Sequence, residues 1–289
     1  HEQLFKKLLE SLGLKHISVS SELSPLIKIL ERAETTSVNA YLSPIIQDYL
    51  NNITLHTQAK LHIMNSAGGL MKIENYQAKD SLLSGPAGGV VGAAFVGDLI
   101  NKDKLITFDM GGTSTDVSRF HKSFDYKYEL EIGSAHIYSP AISIETVAAG
   151  GGSICSFDGY KLTVGPESAG ADPGPACYGA GGPLTITDVN LLLNRIDDTK
   201  FGIPIDIKAA EKQLDILIET IEIQRNEKVS REEVLYGCLA IANEIMAGAI
   251  KKISTSKGFD PSAPTLASSS RCSTTSSKQQ DRCGPSIRF

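Results

Sequence analysis

The sequence predicts an α/β fold in which mixed sheets are flanked by helices. Short apolar runs typical of buried strands occur in the first part of the chain, as at residues 61–65 and 104–109. Longer patterns with the period of amphipathic helices follow at residues 207–224 and 230–253. Strands that precede helices in this way indicate an α/β core with a helical flank. The length of 289 residues suits two domains or one large domain.

The first part of the chain predicts two helices and two strands. An amphipathic helix is expected at residues 3–12, and a second helix at residues 35–50, where Pro44 is a candidate kink or early end. A short strand is expected at residues 16–20. The apolar run at residues 61–65 predicts a buried strand, because an Ala-Gly-Gly turn follows it.

The glycine-rich segment at residues 84–100 predicts a helix. Ser84 is a suitable N-cap, and Pro86 suits the first helical turn. Gly88 and Gly92, together with their small neighbours, make one face of this helix very small. Because glycine inside a helix lowers stability by about 0.8–1 kcal/mol relative to alanine, we expect this face to lie close against another backbone.

Two strands, a loop and a helix are predicted next. The strand at residues 104–109 leads through a glycine turn into a second strand, and strand-like runs continue beyond it. Residues 165–182 are rich in glycine and proline and predict a loop. A helix is expected to open at Thr187, with Asp188 in its first turn, where the helix dipole favours a negative charge.

Residues 261–289 differ in composition from the rest of the chain. They are rich in serine and threonine and contain few large apolar side chains. Such a segment buries too little apolar surface to offset its chain entropy. We therefore expect a disordered or aberrant tail over residues 261–289, with disorder from about Ser262 onward.

Overall composition excludes several classes of partner. The net charge of −5 does not provide the cationic field that nucleic acids or anionic membranes attract. No run of 18 uninterrupted apolar residues occurs, so no transmembrane helix is expected. The five cysteines show no Cys-x-x-Cys spacing and are odd in number, which indicates a reducing compartment and no structural zinc.

The segment FDMGGTSTDVS, residues 108–118, carries the strongest sign of chemistry. An apolar strand ends at Asp109, and a glycine turn, three hydroxyl side chains and Asp116 follow. Main-chain N–H groups of Gly111 and Gly112 can approach an anion closely because glycine has no Cβ. Two carboxylates beside a phosphate require either a hard cation such as Mg²⁺ between them or a role for one as a base. The alternative interpretation is a plain β-hairpin.

Two further segments are weaker candidates. Three consecutive glycines in VAAGGGSI, residues 147–154, indicate either close approach to a ligand or a flexible turn. In the Gly- and Pro-rich loop, Glu167 and Asp172 are candidates to line a site. Cys177 has no histidine at a known partner spacing, and we interpret it as a small structural residue.

Four segments, in this order and spacing, resemble the hydantoinase A/5-oxoprolinase family: SGPAGGVVGA, FDMGGTSTDVS, TVAAGGGSI and VGPESAGADPGPACYGAGGPLTITDVNLLL. The resemblance extends over residues 18–260. It implies the actin/sugar kinase/Hsp70-like ATPase fold, here partial, in which two related α/β domains close on a nucleotide. On this basis residues 1–83 are the remainder of the first ATPase-like domain, and residues 84–260 form the second.

The resemblance implies an enzyme that uses ATP and Mg²⁺ to open a cyclic amide of the 5-oxoproline or hydantoin type. Phosphorylation of the carbonyl oxygen makes the amide far more reactive toward water, and preorganised donors assist that transfer. The resemblance also implies a hydantoinase B-type subunit or domain as partner. We expect an oligomeric, cytoplasmic protein that contacts neither nucleic acid nor membrane.

The same resemblance assigns roles to individual residues. Asp109 would position Mg²⁺, directly or through water, and Asp116 would orient water or the metal; both are catalytic candidates. The nucleotide-binding candidates lie in two glycine-containing segments: Gly111, Gly112, Thr113, Ser114, Thr115, Gly150, Gly151 and Gly152.

Two motifs of the family have no counterpart in this sequence. The family's N-terminal phosphate loop is absent, and its glycine-rich segment is not found after Leu266. We therefore expect a fragment with weak or no turnover by itself. A nucleotide-binding remnant, a partner subunit without catalysis and a kinase-type ATPase of the same fold are the alternatives.

Overall fold

A computed structural model describes residues 1–27, 29–197, 201–261, 265–270 and 286–288. Among these residues the α-helices are α1 (Glu2–Ser11), α2 (Ser20–Leu23), α3 (Ile29–Leu55), α4 (Ser84–Leu99), α5 (Ile186–Leu192), α6 (Ile207–Arg225) and α7 (Arg231–Ile253). The strands are β1 (His62–Met64), β2 (Leu70–Lys72), β3 (Lys104–Met110), β4 (Thr115–His121), β5 (Tyr126–Ile132), β6 (Ala135–Ile142), β7 (Ile144–Val147), β8 (Ser153–Phe157), β9 (Leu162–Ser168), β10 (Thr265–Ser270) and β11 (Ser286–Arg288).

The chain folds as two compact units. The first comprises His1–Phe95 and Ser123–Ser143, and the second comprises Val96–Lys122 and Ile144–Phe289. The division into ATPase-like domains at residue 84, expected from the sequence, stays a prediction.

In the first unit, α3 packs on the antiparallel hairpin of β5 and β6. The main-chain N–H of Tyr138 donates to Thr35 Oγ1 at 2.9 Å. The main-chain N–H of His136 donates to Glu34 Oε2 at 2.6 Å. A small apolar core of the hairpin, which includes Leu130, Ile137 and Ala141, lies beneath these bonds.

Two predictions for the first unit need correction. The helix expected at residues 35–50 is longer, and Pro44 lies inside α3 without ending it. Asn39 and Leu50 are buried on either side of this proline, so packing holds the two halves of the helix in place. The strand expected at residues 16–20 is wrong, because α2 begins at Ser20 and no described strand pairs with residues 16–19.

The small face of α4 also differs from expectation. A Cβ added to Gly85, Gly88 or Gly92 would meet no heavy atom within 4 Å among the described residues. Close approach occurs instead at Gly97, where a Cβ would lie 2.5 Å from Leu105 Cδ1 and 2.9 Å from the Lys102 carbonyl oxygen.

The second unit is built on a five-stranded sheet with the order β11-β10-β3-β4-β7. Strands β3, β4 and β7 are antiparallel neighbours, and β10 runs parallel to β3. Apolar residues of β3 and β4, among them Phe108, Met110 and Val117, join a core with α5, α6, α7 and the β8–β9 hairpin. This core therefore fixes the strands that carry the FDMGG segment.

Helix α7 is the main helix of this core. By length and composition its region is the one described span that could cross a membrane, with a mean hydropathy of 1.4 over its most apolar 18 residues. Nine of its residues are buried within the second unit, among them Cys238, Met246 and Ile250. A core helix of a globular unit has these same properties, so the span is weak evidence for a membrane.

Structure extends into two regions where loops or disorder were expected. Strand β9 continues to Ser168 because it pairs with β8, so the Gly- and Pro-rich loop starts later than residue 165. Within the expected tail, β10 and β11 are strands, and β10 pairs with the edge of β3. Residues 262–264, 271–285 and 289 of that tail lie outside the described residues.

Candidate functional site

The FDMGG segment forms the end of a β-hairpin between β3 and β4. Phe108 and Met110 are buried in the core of the second unit. Because side chains alternate along a strand, Asp109 between them projects toward the opposite face of the sheet. Asp109 and Asp116 are directly opposite each other in the antiparallel register. The segment is therefore a β-hairpin, and this geometry is compatible with both interpretations of the sequence, a plain hairpin and a turn that binds phosphate.

The turn that joins the two strands, residues 111–114, has open main-chain donors. The N–H of Gly111 donates to the Ser114 carbonyl oxygen at 2.9 Å and closes the turn. Gly112 and Thr113 are exposed. The N–H groups of Gly112, Thr113 and Ser114 form no hydrogen bond within the part of the chain that the structure describes. Three adjacent amides are thus available to an anion.

Not every predicted phosphate ligand of this turn is available. Thr115 is fully buried, and its hydroxyl donates to the Ala149 carbonyl oxygen at 2.6 Å. The Gly111 amide is occupied by the closure of the turn. The hydroxyl groups of Thr113 and Ser114 form no hydrogen bond among the described residues. The open donors are therefore concentrated at residues 112–114, in the middle of the predicted segment.

Asp116 has an unusual environment for a carboxylate. Burial raises its pKa above the ordinary value, a hydrogen bond from Thr146 lowers it, and the nearby charge of Asp109 raises it again. Together these causes raise the pKa of Asp116 above its ordinary value. The Thr146 hydroxyl lies 2.6 Å from Asp116 Oδ1. Like charges directly opposite each other on neighbouring strands are destabilising, and a cation or a proton shared between two carboxylates relieves that repulsion.

The three consecutive glycines lie directly behind the turn. A Cβ on Gly150 would lie 2.6 Å from the Gly112 carbonyl oxygen and 2.7 Å from that of Gly111. The N–H of Gly151 donates to the Gly111 carbonyl oxygen at 3.0 Å, and that of Gly152 donates to the Gly112 carbonyl oxygen at 2.6 Å. These glycines are buried and support the turn. Their direct contact with a nucleotide stays a prediction.

Sequence reasoning missed the role of Thr187. Its N–H and its hydroxyl both donate to the Gly151 carbonyl oxygen, at 2.7 and 2.9 Å. A chain of hydrogen bonds therefore runs from the start of α5 through Gly151 to the Gly111 carbonyl of the turn. The expected helix start at this point was a usable signal, but the partner 36 residues earlier was not visible in the sequence.

Asp188 anchors the Gly- and Pro-rich loop. Its fully buried carboxylate accepts main-chain hydrogen bonds from Ala176, Cys177 and Thr185 and a hydroxyl hydrogen bond from Thr185, all between 2.8 and 3.1 Å. Asp188 and Thr187 are adjacent, so the loop and the turn are held by neighbouring residues of α5.

The remaining candidates of this loop do not join the turn. Glu167 and Asp172 are exposed, and neither forms a hydrogen bond or ion pair with the turn in the described structure. Cys177 is fully buried, which agrees with a structural role.

A magnesium ion would find few protein ligands at the hairpin. Within residues 1–27, 29–197, 201–261, 265–270 and 286–288, no group of three or more His, Cys, Asp or Glu side chains could hold a metal. The carboxylates of Asp109 and Asp116 form the acidic pair of the hairpin. Mg²⁺ is commonly held by one or two carboxylates together with substrate phosphates and water, so this pair is compatible with a metal that arrives with a nucleotide.

Comparison with known proteins gives consistent matches along nearly the whole chain. A profile of the family described as Hydantoinase/oxoprolinase matches residues 32–270. A 5-oxoprolinase from Saccharomyces cerevisiae is 41% identical over 282 residues, covering 93% of this chain and 22% of the relative. Caprolactamase subunit alpha from Pseudomonas jessenii is 34% identical, covering 90% of this chain and 39% of the relative.

Solved structures agree with these matches. The ATP-dependent caprolactamase from Pseudomonas jessenii has a TM-score of 0.81 and 30% identity, covering 100% of this chain and 43% of that protein. A nucleotide-free acetone carboxylase has a TM-score of 0.77 with 22% identity, covering 93% of this chain and 39% of that one, and shares the fold. The predicted α/β fold class is confirmed.

The length of the match limits what the relatives imply. The chain spans about a fifth of the length of the 5-oxoprolinases that it matches. It spans about two fifths of the caprolactamase. The family match itself covers most of the chain, from residue 32 to residue 270. The chain belongs to the hydantoinase/oxoprolinase family.

Proposed function

We propose that this chain provides a phosphate-binding hairpin of an ATP-dependent hydrolase that opens cyclic amides. One observation carries the proposal: three adjacent main-chain amides are open at the turn, directly beyond a facing pair of carboxylates. This combination suits a polyphosphate accompanied by a divalent cation. A hairpin turn with a purely structural role requires neither feature.

The residues of the turn fit the phosphates of ATP. The amides of Gly112, Thr113 and Ser114 would hold phosphate oxygens, and Asp109 and Asp116 would hold Mg²⁺ directly or through water. A rigid turn is useful here because donors that are already in place need no reorganisation when charge develops during the transfer. The buried segment behind the turn provides that rigidity.

The names of the relatives indicate the class of substrate. One relative is named a 5-oxoprolinase and another a caprolactamase, and both names refer to the opening of a cyclic amide. We therefore propose a lactam or cyclic imide of the 5-oxoproline or hydantoin type. ATP would supply the phosphoryl group that activates the amide carbonyl oxygen toward water.

We also propose a second polypeptide or domain as partner. The Pseudomonas relative is named subunit alpha, which is the name of one part of a larger assembly. A hydantoinase B-type part would complete the hydrolysis in an oligomeric, cytoplasmic enzyme. Co-purification of the two parts, followed by light scattering to measure the mass of the complex, tests the proposed partnership.

Replacement of Asp109 tests the proposed function. In the full-length parent protein, Asp109→Asn should reduce ADP release stimulated by 5-oxoproline or hydantoin by at least 100-fold, because the metal would lose a ligand. Asp48→Asn, at an exposed position of α3, is the matched control and should retain activity. Undiminished stimulated ADP release in Asp109→Asn would show that the assignment is wrong.

A nucleotide-binding remnant without catalysis is the second candidate. It is favoured by the engagement of Thr115 and of the Gly111 amide in hydrogen bonds within the chain, which leaves fewer of the predicted phosphate ligands open. Calorimetry of this chain with Mg·ATP distinguishes the proposed function from a remnant. Micromolar binding supports a working phosphate turn, whereas an absence of heat supports the remnant.

A further inference from the structure

Thr146, Asp116 and Asp109 occupy opposite positions on three neighbouring strands of the sheet. In the register of the sheet, Asp109 on β3 is opposite Asp116 on β4, and Asp116 is opposite Thr146 on β7. Directly opposite residues project from the same face of a sheet. The hydroxyl of Thr146 is therefore presented to the carboxylate pair by the sheet itself.

The hydrogen bond from Thr146 engages one oxygen of Asp116. Thr146 Oγ1 donates to Asp116 Oδ1 at 2.6 Å. Within the described part of the chain, Asp116 Oδ2 accepts no hydrogen bond. A carboxylate held through one oxygen cannot rotate freely about its last torsion, so the second oxygen is kept in one orientation.

Strand β7 is itself fixed at this position. Glu145, the residue before Thr146, forms an ion pair with Lys252 near the end of α7. Glu145 is opposite Val117, whose side chain belongs to the core. Strand β7, which carries Thr146, is therefore fixed in two ways: by its pairing with β4 and by the ion pair of Glu145 with α7.

We infer that Thr146 is a positioning residue, whose hydroxyl orients the Asp116 carboxylate so that its second oxygen is available to a metal-nucleotide complex at the turn. This inference rests on the proposed function. It assigns a specific task to a residue outside the FDMGG segment. Groups that orient a metal ligand commonly change metal affinity by ten- to a hundredfold when removed.

Removal of the Thr146 hydroxyl tests the inference through its dependence on the metal. Calorimetry of the full chain should give an about tenfold weaker Kd for Mg·ATP in Thr146→Val. Metal-free ATP should bind Thr146→Val within about twofold of the wild-type Kd, because the turn amides are unchanged. Thr146→Ser keeps the hydroxyl and should restore Mg·ATP binding. Thr163→Val, on strand β9 of the same unit, is the control for loss of a strand hydroxyl.

The outcomes separate this inference from the proposed function. If wild-type protein binds no Mg·ATP, or if Asp109→Asn binds it normally, the proposed function fails. If Asp116→Asn weakens binding but Thr146→Val does not, only the role of Thr146 is overturned. Equal weakening of Mg·ATP and metal-free ATP by Thr146→Val would indicate a distorted turn and would also overturn it. Thermal melting of each variant without ligand confirms that it is folded.

Discussion

At the scale of single residues, the hairpin places the carboxylates of Asp109 and Asp116 directly opposite each other. Like charges directly opposite on neighbouring strands are destabilising, and burial of Asp116 adds to that cost. The hydrogen bond from Thr146 compensates in part. Natural proteins tolerate such local conflicts mainly where function requires them.

Replacement of Asp116 should therefore change stability and binding in opposite directions. Asp116→Asn removes one charge and can keep the hydrogen bond from Thr146, so we expect stability to rise by about 0.2–1 kcal/mol. Mg·ATP binding should be lost. Thermal melting without ligand and calorimetry with Mg·ATP measure the two effects. Asp103→Asn, at an exposed charge near Lys122, is the control, and a destabilised Asp116→Asn protein would contradict the explanation.

At the scale of elements, the turn at residues 111–114 is supported by two neighbouring segments. The segment around Gly150 packs on the turn carbonyls, and α5 holds that segment through Thr187. The buried carboxylate of Asp188 ties the Gly- and Pro-rich loop to the same helix. Hairpin, glycine segment and α5 therefore act as one rigid support, which keeps the open amides in place without a ligand.

A methyl group at Gly150 should disturb this support through the backbone of the turn. Its Cβ would lie 2.6 Å from the Gly112 carbonyl oxygen, so backbone must shift. We expect Gly150→Ala to lower the free energy of unfolding by about 1–3 kcal/mol and to weaken Mg·ATP binding. Gly248→Ala is the matched control, because a Cβ there meets no atom within 4 Å and alanine should stabilise α7 by about 0.8–1 kcal/mol. Urea unfolding measures the free energy of unfolding of each variant. Equal values for Gly150→Ala and Gly248→Ala would contradict tight packing of Gly150 against the turn.

At the scale of the whole molecule, ligand binding should be visible as stability of the chain. A ligand that binds the folded state alone adds about 2.7 kcal/mol at a concentration of 100 times its Kd. The turn at residues 111–114, the three glycines at residues 150–152 and α5 all belong to the second unit. Stabilisation should therefore be detected in that unit by the slowing of amide hydrogen exchange.

Mg·ATP should raise the melting temperature of the chain, and a metal chelator should remove much of that increase. The reason is that the two carboxylates repel the phosphates when no cation lies between them. Differential scanning fluorimetry with Mg·ATP, with ATP and chelator, and with Mg²⁺ alone measures this. Equal stabilisation by metal-free ATP would show that the carboxylates take no part in binding.

The sequence alone determined several of the elements and the chemical character of the candidate site. Hydrophobic period and turn residues are local properties, so α1, β3, β4, α6 and α7 and the FDMGG turn were predictable from them. The acidic pair and the glycine turn were visible as residue types. The family resemblance was readable from the same segments, and the match over residues 32–270 confirms it.

Only the tertiary structure decided which groups at the site are open and which are engaged. The register that places Thr146 opposite Asp116, and the contact of Gly150 with Gly112, join residues at least 30 positions apart. The strand expected at residues 16–20 failed because a strand needs a partner, and β10 formed because β3 had a free edge. Such outcomes depend on packing and pairing between distant segments, which local propensity does not encode.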